Sequence, residues 1–150
     1  MFDMNELPAT PDEIATYTQG ACHIFALALH RHLGAGLVIV TDPKRTMPAP
    51  AGGKAVDRVL HVFAVIGTLA YDIASEIRAR DIAGVSRLVC RARKLEVQTL
   101  RSETELRAFV QRRSDDAERP LRPYTDADIE GAWTIARRIL PRRLTASKAA

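Results

Sequence analysis

Cysteine is scarce in this chain: Cys22 and Cys90 are the only two among 150 residues. That is too few for a disulfide framework, and the chain does not open with a charged segment followed by an apolar one, as a secretory leader would. A reducing, cytoplasmic setting is the expectation, with signal-independent export left open. Long apolar runs are also missing. None approaches the roughly 20 residues that span a bilayer, which argues against a helical membrane protein. Aromatic residues make up 5% of the sequence, so a base-stacking surface for nucleic acid is poorly supplied. The one glycine pair, Gly52-Gly53, lacks the strand-to-helix context of a phosphate-binding loop.

The rest of the composition is that of a folded protein. With 47% apolar and 27% charged residues, the chain has the profile of a soluble globular domain, and its length suits one domain with a single core. The net charge of +4 is unevenly spread. Arg137, Arg138, Arg142, Arg143 and Lys148 crowd the end of the sequence, while Arg87, Arg91, Arg93 and Lys94 form a second cluster. Such clusters can hold phosphates or acidic partners, although basic helix ends are commonly just solvated.

Thr10-Pro11-Asp12-Glu13 reads as an N-cap, a first-turn proline and first-turn acids, starting a short helix that reaches about Tyr17. A longer helix follows over about 21–33, ended by Gly34 and Gly36, with Cys22, Phe25, Leu29 and Leu33 on one face. Leu37-Val38-Ile39-Val40 reads as a buried strand. The proline- and glycine-containing stretch 41–58 is expected to be a flexible loop, either a mobile flap or plain disorder. Runs 59–65 and 69–74 flank Ile66-Gly67-Thr68 and read as a hairpin. Weaker strand signals cover 87–91 and 95–100, and Ser102-Glu103-Thr104-Glu105 is a capping box for a helix over 103–113. After a polar connection over 115–123, Thr125 caps a last helix to about Leu140. Its apolar stripe is Ile129, Trp133, Ala136 and Leu140, and a basic tail, 141–150, follows.

Chemistry concentrates in three residues. A cysteine in the first turn of a helix meets unpaired N–H groups and the positive end of the helix dipole, both of which favour the thiolate. Cys22 is so placed. Across a two-residue turn at Ile66-Gly67, His61 falls directly opposite Asp72; a turn at Gly67-Thr68 leaves the two as diagonal neighbours on one face. An aspartate in an apolar ribbon needs a partner, and a histidine beside it is oriented by the carboxylate to serve a thiol as base. The candidate site is therefore Cys22 as nucleophile, His61 as base and then acid, and Asp72 as orienter. The backbone N–H of Cys22 and the side chain of Gln19 are the candidate oxyanion donors.

This order, a cysteine on the first long helix, a histidine on a strand and a polar residue on the paired strand, resembles the papain-like superfamily. The segment from Leu60-His61-Val62-Phe63 through Gly67 to Tyr71-Asp72 looks like the histidine hairpin of NlpC/P60 peptidases and transglutaminase-like proteins, a likeness spanning about 17–75. Around the nucleophile the chain has Gly20-Ala21-Cys22-His23 rather than the Asp-Cys-Ser-Gly of NlpC/P60 enzymes, so the likeness is to the superfamily and not to one member family. It implies an α+β, papain-like single domain, with the nucleophile helix packed on a small antiparallel sheet and further helices toward the C-terminus. It also implies a cysteine-dependent hydrolase or acyl transferase acting on a protein or peptide-like amide: a peptidase, a deamidase or a peptidoglycan amidase. No cofactor or metal is required by that chemistry.

Other readings give those residues structural roles. Cys22 is a small core hydrophobe if His61 and Asp72 merely satisfy each other. His23, His30 and His32 with Cys22 evoke zinc, but their spacing does not match paired ligands and they do not converge on one side of a helix. Cys90 and Trp133 read as structural residues. The functional alternative is a non-catalytic binding protein of the same fold that contacts nucleic acid or an acidic partner through the arginine clusters.

Overall fold

The computed structural model describes residues 9–18, 21–42, 58–90, 94–114 and 123–140. Among them the order is α1 (Pro11–Thr18), α2 (Cys22–Leu33), β1 (Gly36–Asp42), β2 (Arg58–Ile66), β3 (Leu69–Tyr71) and β4 (Glu76–Arg78). A 3₁₀ turn (Ala79–Asp81), α3 (Ile82–Cys90), β5 (Glu96–Leu100), α4 (Glu103–Ser114) and α5 (Asp126–Ile139) complete it. The strands form an antiparallel sheet in the order β4-β3-β2-β1-β5. The fold is α+β. No helix among the described residues is long and apolar enough to cross a membrane.

Alternation along the central strands sends side chains to two faces. Leu37, Ile39, Val62 and Ala64 join a large core with α2 and with Ile129, Ala132 and Ala136 of α5. Val38, Val40, Phe63 and Ala70 join a smaller one with Ile82 of α3. The sheet is therefore covered on both faces, and α2 lies inside the larger layer, with every residue from Cys22 to Leu29 buried. Leu33 departs from the expected stripe: at 40% exposed it has passed beyond the core. Gly34 then takes a left-handed conformation (φ 68°), its N–H bonding back to the His30 carbonyl, and turns the chain into β1.

The capping signals are realised as hydrogen bonds. Glu13 N–H donates to Thr10 Oγ1 (3.1 Å) while Thr10 N–H donates to Glu13 Oε1 (2.9 Å). Thr125 and Asp128 form the same reciprocal box at the start of α5. Glu105 N–H donates to Ser102 Oγ at 3.3 Å, so α4 also begins where its box predicts. Glu13 pairs in addition with Arg138, tying α1 to α5. One arginine of the C-terminal cluster is thus engaged internally.

Three expectations need correction. Residues 87–91 are not a strand but lie at the end of α3, as far as they are described; read from further upstream, Ile82 and Ser86 recur at helical spacing, and both are buried. The second hairpin strand stops at Tyr71 rather than reaching Ala74, and the chain reverses there into β4. Thr41, Asp42 and Arg58 belong to strands rather than to the loop expected over 41–58. The remaining loop residues, 43–57, lie outside the described residues, as do 115–122 of the polar connection and the basic tail 141–150.

Candidate active site

The hairpin decides the register. Ile66 pairs with Leu69, so the turn is Gly67-Thr68 rather than Ile66-Gly67. A tight hairpin turn calls for positive φ at its first central residue, which glycine adopts freely and a β-branched isoleucine does not. Gly67 has φ 61°. His61 and Asp72 are consequently diagonal neighbours and not directly opposed. The Nε2 of His61 still reaches Oδ2 of Asp72 at 2.8 Å.

Two local irregularities aim these groups. On β2, His61 pairs with Val40 and Val59 with Thr41, so Leu60 is an extra residue in the ladder, immediately before His61. Such a bulge bends and twists its strand, and is a common means of redirecting a neighbouring side chain. At the end of β3, Asp72 opens a tight turn whose donors converge on its Oδ1: Ala74 N–H (2.9 Å), Ser75 N–H (2.6 Å) and Ser75 Oγ (2.8 Å). One carboxylate oxygen is thereby fixed by the turn, and the other is presented to the imidazole.

Cys22 is the first residue of α2 and only 5% exposed. His61 and His23 are the two groups that act on its thiol. Since Nε2 of His61 is engaged by Asp72, Nδ1 is the ring nitrogen left for the sulfur. The His61 ring also meets Phe63 edge-on, with centroids 4.5 Å apart. Cys22 belongs to the larger core and Phe63 to the smaller, so the site forms at the seam between the two.

The electrostatics follow from that placement. Burial works against ionising the Cys22 thiol, yet the hydrogen bonds and positive charge supplied by His23 and His61 outweigh it and bring the thiol down to about 6. Burial likewise works against a charged His61, but hydrogen bonds to Asp72 and Cys22, with their negative charges, carry it up to about 10. Asp72 is lowered, the opposing effect of burial being overcome first by His61 and then by Ser75 and the Ala74 N–H. A thiolate–imidazolium pair is the favoured resting state near neutrality.

The site thus brings together Cys22, His61 and Asp72, with His61 hydrogen-bonded to Asp72 and coupled electrostatically to the thiol. The Cys22 N–H lies at the start of α2, where helical N–H groups have no partner within the helix; Gln19 lies outside the described residues. His30 and His32 lie at the far end of α2, where His30 Nδ1 meets the Ala35 carbonyl oxygen (2.8 Å) and His32 meets Glu130 and stacks on Trp133. Among the described residues no group of three or more His, Cys, Asp or Glu side chains is arranged to hold a metal ion. Sequence reasoning missed two participants. Ser75 was legible as the polar end of a turn begun by Asp72, and His23 as a polar residue inside an otherwise apolar helical run. Compared with protein-family profiles, curated proteins and solved structures, the chain matches none.

Proposed function

We propose that the chain is a cysteine-dependent hydrolase or acyl transferase of papain-like kind, acting on an amide or related acyl bond of a protein or peptide-like substrate. The observation that carries this reading is the bond of 2.8 Å from His61 Nε2 to the Asp72 carboxylate, and the buried Cys22 at the start of α2, whose thiol His61 lowers, supports it. A buried pair that merely satisfied its own polar groups would not require a thiol at a helix N-terminus as a third member.

In the proposed cycle the Cys22 thiolate attacks the acyl carbon, forming the S–C bond, and the carbonyl electron pair moves to oxygen. The Cys22 N–H is positioned to stabilise that oxyanion. Collapse expels the amine, which leaves with the proton from His61, and a thioester remains. Neutral His61 next takes a proton from water, or from an acceptor nucleophile in a transfer. The resulting attack breaks the S–C bond and restores the thiolate–imidazolium pair, while Asp72 holds the ring throughout.

A test needs no knowledge of the natural substrate. Exposure to p-nitrophenyl acetate should leave an acetyl group on Cys22, seen by peptide-resolved mass spectrometry, and His61→Ala should suppress it. Iodoacetamide near pH 6 should alkylate Cys22 faster than a free thiol. No adduct, with alkylation no faster than a free thiol and unchanged in His61→Ala, would overturn the reading.

A further inference from the structure

Asp72 follows the last residue of β3, and its two carboxylate oxygens are engaged differently. Oδ2 meets Nε2 of His61 at 2.8 Å. Oδ1 accepts from the backbone N–H groups of Ala74 (2.9 Å) and Ser75 (2.6 Å) and from Ser75 Oγ (2.8 Å). The N–H donors come with the backbone of any such turn, whereas the hydroxyl is the contribution of one side chain. A carboxylate turns easily about its Cβ–Cγ bond, because that torsion has no steep wells. A donor that fixes Oδ1 therefore also fixes where Oδ2 lies.

The turn that carries Ser75 is itself braced. Asp72 N–H donates to the Ser75 carbonyl oxygen (3.1 Å), closing the turn in the opposite sense. Ile73, between them, is 1% exposed and belongs to the larger core. After Ser75 the chain enters β4, which pairs with β3 from Tyr71–Glu76 to Leu69–Arg78, and Ala79 N–H then donates to the Thr68 carbonyl (2.8 Å). The edge strand β4 thus links the Asp72 turn to the Gly67-Thr68 turn that sets the register with His61. Ser75 stands at that junction, anchored on both sides, and the carboxylate is the movable partner.

Resting on the reading of His61 as the base that serves Cys22, we propose that Ser75 is a positioning residue of the site, whose hydroxyl holds the Asp72 carboxylate in the rotation that presents Oδ2 to His61. Its action runs through Asp72 alone. Ser75 gives up no proton; it donates to Oδ1 throughout the cycle, while His61 takes and returns the proton that moves. Without the hydroxyl, Oδ1 keeps its two backbone donors, so the carboxylate is loosened and not released. A ring held by a loosened carboxylate spends less time in the orientation the thiol requires.

The test is the rate of Cys22 acetylation by p-nitrophenyl acetate near pH 6 in the full chain, resolved by peptide so that Cys90 does not contribute. Ser75→Ala should slow it by about three- to tenfold, the range of one net hydrogen bond. Ser75→Thr, which keeps the hydroxyl, should recover most of that loss. In an Asp72→Ala background Ser75→Ala should cost nothing further, because the hydroxyl then has no carboxylate to hold. A Ser75→Ala rate equal to the wild type overturns the proposal, as does an equal loss in the two backgrounds, the result expected of a residue that only supports the fold. Should the alanine variant fail to fold, Ser75→Val against Ser75→Thr compares one side-chain size with and without the hydroxyl. A second readout needs no reaction. The His61 Nε2 proton, followed by NMR, should exchange with water several-fold faster in Ser75→Ala than in the wild type; equal exchange, or a wild-type proton too fast to observe, overturns the proposal. The two readouts separate this claim from the broader one. A ring loosened by Ser75→Ala in a chain that forms no acetyl adduct keeps Ser75 as the holder of Asp72 and defeats acyl transfer; an adduct whose rate ignores Ser75 does the reverse.

Discussion

The two ends of α2 carry charge in opposite ways. At the N-terminal end, Cys22 and His23 are buried, and the paired side chains of His61 and Asp72 are 16% and 13% exposed. At the C-terminal end, Arg31 bonds to Glu103 and Asp126, and His32 to Glu130, with side-chain exposures ranging from 22% to 83%. Both ends obey the helix dipole, a thiolate at the positive end and cations at the negative one. They differ in water. Where solvent screens the pairs, the bonds fasten α2 to α4 and α5; where it is excluded, similar contacts change the protonation state of a thiol.

The comparison breaks most decisively at Cys22. Cys22→Ser should abolish acetyl transfer from p-nitrophenyl acetate, as read by loss of the adduct. His61→Ala should come next, lowering the acylation rate by about 10²–10⁴-fold, the range for removing a general acid–base group. Asp72→Asn should lower it as well, by up to about 10⁴-fold, because the amide no longer enforces one tautomer and orientation of the ring. The pH dependence has a definite sign. The proposed cycle needs the Cys22 thiolate and the His61 imidazolium together, so kcat/KM should rise through about 6 and fall through about 10.

Much smaller effects are expected at the solvated end. Glu103 is held down to about 2, chiefly by its hydrogen bond with Arg31. A depressed carboxylate stabilises the fold above its unfolded value and loses that contribution as pH falls through the folded one. The acid loss of melting temperature between about 4.5 and about 2 should therefore be shallower in Glu103→Gln. At neutral pH, Arg31→Met should cost about 1 kcal/mol in denaturant unfolding. Glu130→Gln should change stability by less than about 0.5 kcal/mol and leave Cys22 alkylation as it was.

How far the sequence foretold these two ends depends on the range of the interactions. Capping residues act within one helical turn, so Thr10, Ser102 and Thr125 mark helix starts correctly. The His61–Asp72 pair was legible because a hairpin relates two positions by arithmetic, although placing its turn required asking which residue tolerates positive φ. The strand reading at 87–91 failed because a short apolar window fits either period, and the buried Ile82 and Ser86 that settle it lie upstream. The bulge at Leu60 and the ring contact between His23 and Tyr124 join distant segments. No local pattern encodes either.

The diagonal register of the hairpin also bears on the order of assembly. His61 and Asp72 are eleven residues apart in the chain and joined by a two-residue turn, so the loop they must close is short. Cys22 meets them only when α2 docks across the sheet. His61 and Asp72 can thus pair while the thiol is still ordinary, and the lowering of the Cys22 thiol requires a non-local contact. In a partly folded chain Cys22 would react like any exposed thiol. The reactivity proposed for Cys22 would then gauge native docking, readable by alkylation alone at acid pH.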